Sequence, residues 1–496
     1  MTLTTALHRP VPQAHLALVA IVLLGAGLRL PGLFSESLWS DEAISVRLAR
    51  LPALELIRTT AEDVHPPLYY LLLKLWMQMF GESEAALRSL SWVLGVAALP
   101  LAYRVFRRLA PDEHGLAPAT TALLAFGDMH AYYSLEVRNY ALVAFLGLLA
   151  TDFLVTARGA VRGAHPTVAY AVVMGAALYT HYFAGFLWLA HVAWMTWERP
   201  TGGSRRLSLR RIILLASPLA LFAPWSLVVL HQVRLGDMAW MAGQLVPVSP
   251  QFMFWTAGRL TYFGEAPAVC WPAVGFFAVA ILPALLLGAA AALRPGPRRA
   301  AARLCLAAGP GVLLFVFIIS LWKRIYLSRF FTLTTPFWFG LIVCGLWTLP
   351  RPGLRRAWLA LLLVGTLYYS IDARLLPRRP QWRQAAALVL RQGPPEALVV
   401  LHAGFTQDLW NYYAPDWRGH VFPTRPLAPG QDWEAVARQI VDAAGGRPVW
   451  LILSGTGILD PAWQLEPLLL QRSRDARVYR FGGDLAVVRL GPLSGP

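Results

Sequence analysis

The chain has 496 residues, of which 57% are hydrophobic and only 14% charged. Soluble globular domains carry about 25% charged residues, so a single soluble domain is excluded, and the apolar content excludes a disordered chain. Lys and Arg number 44 against 27 Asp and Glu, a formal net charge of +17; in a polytopic membrane protein this excess gathers in loops on one side, and no nucleic-acid partner is expected.

The first apolar segment, His15 to Leu33, lacks a small-x-small cleavage pattern and contains Arg29 and Pro31, so an uncleaved signal-anchor helix is expected. Further spans are expected near 87–106, 115–132, 139–157, 166–180, 182–198, 211–231, 271–293, 303–321, 330–349 and 356–371, about eleven in all. Arg104, Arg107 and Arg108 follow the second span, and Arg158 and Arg162 the fourth. Arg199, Arg205, Arg206, Arg210 and Arg211 follow the sixth, Arg294 to Arg303 the eighth, and Arg351, Arg355 and Arg356 the tenth. All these clusters fall on the side of the N-terminus, which the positive-inside rule places in the cytoplasm. Loops 34–86, 133–138, 232–270 and 322–329, and everything after Asp372, then face outward. Pro66 to Phe80 has 15 residues and contains Lys74; it is expected to lie along the outer interface, as is 250–263. The cysteines Cys270, Cys305 and Cys344 lack the spacing of a disulfide framework or a zinc site.

After Pro377 the pattern changes. Residues 378–392 read as an amphipathic helix, 397–403 as a strand, 432–446 as a helix closed by glycine and 448–455 as a buried strand, with a hairpin around Gly482-Gly483. The organisation expected is a transmembrane catalytic domain over 1–376, with outer loop 34–86, and an extracytoplasmic α/β domain over 377–496.

Charged residues near a membrane are costly, so their grouping is informative. Asp41 and Glu42 open a helical stretch in the first outer loop; adjacent positions point about 100° apart, so one carboxylate can face a site while the other turns elsewhere. A helix N-terminus complementing the dipole is the alternative. Glu62, Asp63 and His65 precede Pro66-Pro67, where they pair, bind a metal or cap the helix that follows. Glu136 and Arg138 lie among Tyr132, Tyr133 and Tyr140 at an outer boundary, where an interfacial ion pair also explains them. His181 occupies the tight turn 179–183. Lys323, Arg324 and Arg329 are cations on the side otherwise poor in them; an outer anion such as a lipid phosphate, or interfacial snorkelling, accounts for them.

In series these segments resemble the GT-C glycosyltransferases of the family-39 type, which include protein O-mannosyltransferases and lipid A aminoarabinose transferases. The resemblance runs through Leu38-Trp39-Ser40-Asp41-Glu42, His65-Pro66-Pro67-Leu68-Tyr69-Tyr70, Leu87-Arg88-Ser89-Leu90-Ser91, Tyr133 to Tyr140, Tyr179 to Phe183 and Ser328-Arg329-Phe330-Phe331, over about 1–340. It implies a polyprenyl-phosphate-linked sugar donor, an extracytoplasmic protein, lipid or glycan acceptor, and inversion at the anomeric carbon. On this basis Asp41 and Glu42 are the catalytic pair, with Asp41 the base. His65, Arg88, Glu136, Arg138, Tyr140, His181 and Arg329 contact substrate, with Arg138, His181 and Arg329 nearest the phosphate. No cofactor is implied firmly; for a divalent metal the available ligands are Glu62, Asp63, His65 and His181. Two other classes are weighed: a lipid or sugar transporter, for which polar mid-span residues such as Thr151 and Asp152 are few, and a non-catalytic family member, against which Asp41, Glu42, Glu136 and Arg138 are all retained.

Overall fold

The computed structural model describes residues 13–159, 165–198, 209–235, 249–265, 269–323, 325–374, 379–422, 432–455, 460 and 462–493. The chain divides into two compact units: Met1–Phe34 with Leu51–Leu375, and Ser35–Arg50 with Leu376–Pro496.

The first unit is helical and is that of an integral membrane protein. Among the described residues, seven helices are long and apolar enough to cross a bilayer: His15–Ser35, Glu84–Leu109, Tyr140–Arg158, Leu209–Val233, Trp271–Leu293, Arg299–Ser320 and Ser328–Leu346. The four other expected spans are helical but fall short in length or apolarity. Leu116–Phe126, His165–Leu178 and Ala184–Trp197 have 11, 14 and 14 residues, and Pro352–Asp372 carries Arg355, Arg356 and Asp372. A helix enclosed by protein need not match the hydrocarbon thickness, and Leu116–Phe126 is almost wholly buried.

The expected span 115–132 is interrupted. Its helix stops at Phe126, Gly127 turns out of helical geometry, and a short helix, Asp128–Tyr133, restarts the chain. A Cβ on Gly127 would lie 2.6 Å from the Phe339 ring, so only glycine permits this approach. Of the rare polar mid-span residues, Asp152 pairs with Arg104 and Arg108 at 2.8 and 2.9 Å. Thr151 bonds the buried His191 at 3.0 Å. Both side chains are thus hydrogen-bonded or paired within the helical unit. The helix Leu68–Phe80 buries Tyr69, Tyr70, Leu73 and Met77, while Leu75, Met79 and Phe80 are exposed.

In the second unit a mixed five-stranded sheet runs in the order β2 (Val421–Phe422), β1 (Leu398–Leu401), β3 (Val449–Leu453), β5 (Ala486–Leu490), β4 (Ala476–Arg480). β1 is parallel to β2 and β3, and β5 is antiparallel to β3 and β4. Leu398, Val400, Leu451, Leu453, Val488 and Leu490 form one face of the core, covered by Val436, Ala437 and Ile440 of the helix Trp433–Ala444. That helix is capped by the Asp432 carboxylate on Glu434 and Ala435 N–H and closed by Gly445 in the left-handed region, φ 54°. The expected glycine-closed helix, both central strands and the hairpin are all present.

The segment Ser35–Arg50 packs with this α/β domain. Leu38 N–H donates to the Tyr413 hydroxyl at 2.6 Å, and Arg47 pairs with Asp408 at 3.0 Å. Glu42 is fully buried and bound to Arg379 Nη1 at 2.7 Å, while Arg379 Nε faces Glu36 at 3.2 Å. Removing one member of a buried pair leaves an uncompensated charge. Glu42→Gln is therefore expected to destabilise this unit by about 3 kcal/mol, read as a lower midpoint of thermal unfolding; an unshifted midpoint would show that the pair contributes nothing.

Candidate active site

Three segments between helices meet in the first unit. Pro67 caps the helix Leu68–Phe80, and Leu68 N–H donates to the Tyr179 carbonyl at 3.1 Å, fastening the His65-Pro66-Pro67 segment to the turn 179–183. The Asn139 amide donates to the Thr180 carbonyl at 3.1 Å, fastening the 133–140 segment to the same turn. A Cβ at Gly95 would fall 2.1 Å from Ser134 Oγ, so glycine on the helix Glu84–Leu109 permits that segment its close approach.

These contacts assemble His65, Arg138 and His181. Arg138 Nη2 donates to His65 Nε2 at 3.3 Å, and Arg138 Nη1 donates to the Tyr70 hydroxyl at 3.4 Å. A guanidinium has no acceptor, so His65 accepts at Nε2 and carries its proton on Nδ1, which faces Asp63 at 3.7 Å. Burial works to raise the Asp63 pKa. The hydrogen bond of His65, the Val64 N–H and the Arg138 charge outweigh it and hold the carboxyl below its ordinary value.

His181 is buried, with its ring 6.1 Å from those of His65 and Tyr140. Its Nδ1 accepts the Phe183 N–H at 3.1 Å, so the ring proton resides on Nε2. Burial first, then the neighbouring His65, Arg138 and Arg329, push its pKa well below the ordinary histidine value. The ring is neutral at physiological pH, and its buried Nε2–H has no acceptor among the described residues. A cavity of about 270 Å³ opens beside it, walled by Phe183, Phe186, Val229, Val233 and Ile325, with His65, His181, Gln232 and the exposed Lys323 as its polar groups.

Of the remaining residues expected at the site, Glu136 is buried, its carbonyl accepting the Ser91 hydroxyl. Arg88 is buried on the helix Glu84–Leu109, and Tyr140 is buried with its ring 4.8 Å from that of Tyr133. Arg329 is half-buried on the turn Ser328–Thr334. Asp41 and Glu42 belong to the second unit, at the start of the helix Ser40–Arg50. Asp41 is half-buried, whereas Glu42 is turned inward onto Arg379. Among the described residues no group of three or more His, Cys, Asp and Glu is arranged to hold a metal. Asp63 is committed to His65, and His181 Nδ1 to the backbone, so the four expected ligands do not converge on a resident cation.

Residues 64–228 match the family of dolichyl-phosphate-mannose-protein mannosyltransferase. The matched segment is similar to this family over about a third of the chain. The matched segment contains His65, Arg88, Glu136, Arg138, Tyr140 and His181, so most of the expected substrate contacts lie within the part that defines the family. No curated protein matches the sequence. Among solved structures, ArnT from Cupriavidus metallidurans in the apo state shares the fold at TM-score 0.55 and 15% identity, covering 96% of this chain and 98% of that chain. The same protein bound to undecaprenyl phosphate matches at TM-score 0.54 and 16% identity, with 97% and 99% covered. The Archaeoglobus fulgidus oligosaccharyltransferase matches at TM-score 0.55 and 13% identity, with 94% and 72% covered. At these identities the likeness is one of fold.

Several residues of the site were not singled out by their sequence. Gln232 donates to the Thr60 and Ala61 carbonyls at 3.2 and 3.1 Å and accepts the Tyr182 hydroxyl at 2.7 Å, bracing the cavity. The buried Asp128 carboxylate accepts the Glu265 N–H, and Arg379 holds Glu42. The available signal was an adjacent glycine: Gly127 precedes Asp128 and Gly264 precedes Glu265.

Proposed function

We propose that the chain is a member of this family and transfers a sugar from a polyprenyl-phosphate-linked donor to an acceptor hydroxyl outside the cytoplasm, inverting the anomeric carbon. The observation that carries the reading is the neutral His181, whose buried Nε2–H lacks an acceptor among the described residues and which lines an apolar cavity together with His65, the partner of Arg138. An anionic head on an apolar chain satisfies both features at once. The phosphate takes the Nε2–H and the guanidinium charge; the chain takes the apolar wall.

In this reading the bond from the anomeric carbon to the phosphate oxygen breaks, and the acceptor oxygen bonds to the opposite face. The leaving phosphate needs charge stabilisation rather than a proton, which Arg138 supplies with Arg329 and Lys323 as further cations. Asp63 and His65 hold the Arg138 fork in one orientation. Asp41 takes the proton of the acceptor hydroxyl as it attacks. Glu42, tied to Arg379, sets the helix that presents Asp41, and Arg88, Glu136 and Tyr140 shape the donor site. We further place eleven spans in the membrane, with the N-terminus in the cytoplasm and the second unit outside.

Two measurements test this. His181→Phe is expected to weaken binding of undecaprenyl phosphate to the purified protein by about 10–100-fold, the value of a hydrogen bond to a charged group, and His181→Gln to recover part of it. Unchanged affinity in His181→Phe would remove the histidine from the phosphate site. For the topology, His420 is exposed. In a background lacking Cys270, Cys305 and Cys344, His420→Cys is expected to react with an impermeant thiol reagent from outside intact spheroplasts. Labelling only after the membrane is permeabilised would overturn the orientation.

A further inference from the structure

The donor-site cluster leaves unexplained a second buried acidic group in the first unit. The segment 249–265 runs through a helix, Pro250–Gly258, and a π-helical turn, Arg259–Phe263, to Gly264 in the left-handed region, φ 54°. A Cβ at Gly264 would sit 1.9 Å from Asp128 Oδ2, so the backbone is pressed against a buried carboxylate in a way only glycine allows. The next N–H, of Glu265, donates to Asp128 Oδ2 at 3.3 Å. Arg374 faces the other Asp128 oxygen at 3.5 Å.

The Glu265 side chain then gathers three segments. Its Oε2 accepts Arg259 Nη1 at 2.9 Å. Its Oε1 accepts the Tyr133 hydroxyl at 3.0 Å and the Ser328 hydroxyl at 3.4 Å. Tyr133 is the last residue of the helix Asp128–Tyr133, directly before the segment that carries Arg138, and its ring packs edge-on against Tyr140. Ser328 adjoins Arg329. Burial raises the Glu265 pKa, and Arg259, the Tyr133 hydroxyl and Arg329 draw it back down, while Asp128 adds to the rise. A carboxylate near a phosphate site opposes the phosphate by charge alone, so its place there is explained by geometry rather than by attraction.

We propose that Glu265 is a positioning residue for donor binding: through Tyr133 and Ser328 it sets the Tyr140 ring and Arg329 where the lipid phosphate is held. This rests on the donor reading above. It assigns a role to the outer segment 249–265, and it predicts a sign that distinguishes positioning from simple electrostatics. Removing a negative charge beside an anion site tightens binding; removing the device that orients the site weakens it.

The test measures undecaprenyl phosphate affinity and the midpoint of thermal unfolding of the full-length purified protein. Glu265→Gln retains an oxygen acceptor and is expected to stay within about threefold of wild type, whereas Glu265→Ala is expected to lose about tenfold with little change in midpoint. Tyr133→Phe breaks the same bond from the other side and is expected to lose a similar factor. The Glu265→Ala/Tyr133→Phe pair should then be little worse than either alone, because the two residues act as a unit. Unchanged or tighter binding in Glu265→Ala, or fully additive losses in the pair, would overturn the proposal. If Glu265→Ala does not fold, Tyr133→Phe and Ser328→Ala decide: wild-type affinity in both overturns it. Arg138→Ala in the same assay separates the two readings. Wild-type affinity there sinks the donor reading itself; loss there with intact binding in the Glu265 and Tyr133 variants sinks only the positioning role.

Discussion

Replacing Asp41 with asparagine is expected to lower single-turnover sugar transfer by about 10²–10⁴-fold, the usual share of general-base catalysis. Asparagine keeps the size and a hydrogen-bonding oxygen but cannot take a full proton from the acceptor hydroxyl. Donor affinity should change far less, because the base acts on the acceptor and chiefly in the transition state. Asp41 and Glu42 occupy successive positions of the helix Ser40–Arg50, and burial separates their roles: Glu42 is enclosed and bound to Arg379, while Asp41 retains exposure. Glu42→Gln is therefore expected to act on stability, and Asp41→Asn on the chemical step with little effect on folding. Equal transfer rates for wild type and Asp41→Asn would remove the base from the mechanism. Lost donor affinity with a normal rate at saturation would make Asp41 a binding residue.

Arg138→Lys is expected to cost about 10–100-fold in transfer and Arg138→Ala about 10³-fold, in line with the loss of a preorganised donor facing developing charge. Lysine keeps the charge but not the planar fork that reaches His65 Nε2 and the Tyr70 hydroxyl together. With the fork gone, His65 loses the donor that fixes its tautomer. The loss should appear in donor affinity as well as in rate, unlike that of Asp41→Asn. Wild-type turnover in Arg138→Lys would reduce Arg138 to an interfacial aromatic-belt neighbour.

Much of the fold is legible in the sequence because it depends on local periodicity. The long apolar runs form the seven bilayer-length helices, and the glycine after Ala444 closes its helix in the left-handed conformation. The Gly482-Gly483 turn joins the two antiparallel strands β4 and β5. Within the site, the proline pair after His65 marks a helix start, and the 133–140 and 179–183 segments do meet. What local pattern does not carry is pairing across long sequence separation. Glu42 finds Arg379, 337 positions away, and Tyr133 finds Glu265, 132 positions away. Neither partner advertises the other, since an isolated buried carboxylate reads as a helix cap or loop charge until its cation or hydroxyl is known. The break at Gly127 falls where the apolar run gives way to Asp128 and His130, and the close approach of Phe339 to the glycine is visible only in the fold. His181 shows the same limit in chemical form. Its position in a tight turn is evident, but its neutrality and its proton on Nε2 follow only from the Phe183 N–H and from the depth of its burial.

The claim that a polyprenyl-phosphate-linked sugar is the donor is tested most directly by profiling lipid-linked sugars. Extracts are compared from cells with the active gene, cells lacking it and cells carrying only the Asp41→Asn variant. Accumulation of one polyprenyl-phosphate sugar in both the deletion and the Asp41→Asn cells, absent when the active protein is restored, is the predicted result. Identical lipid-linked sugar profiles in all three, with the variant folded and present in the membrane, would contradict it.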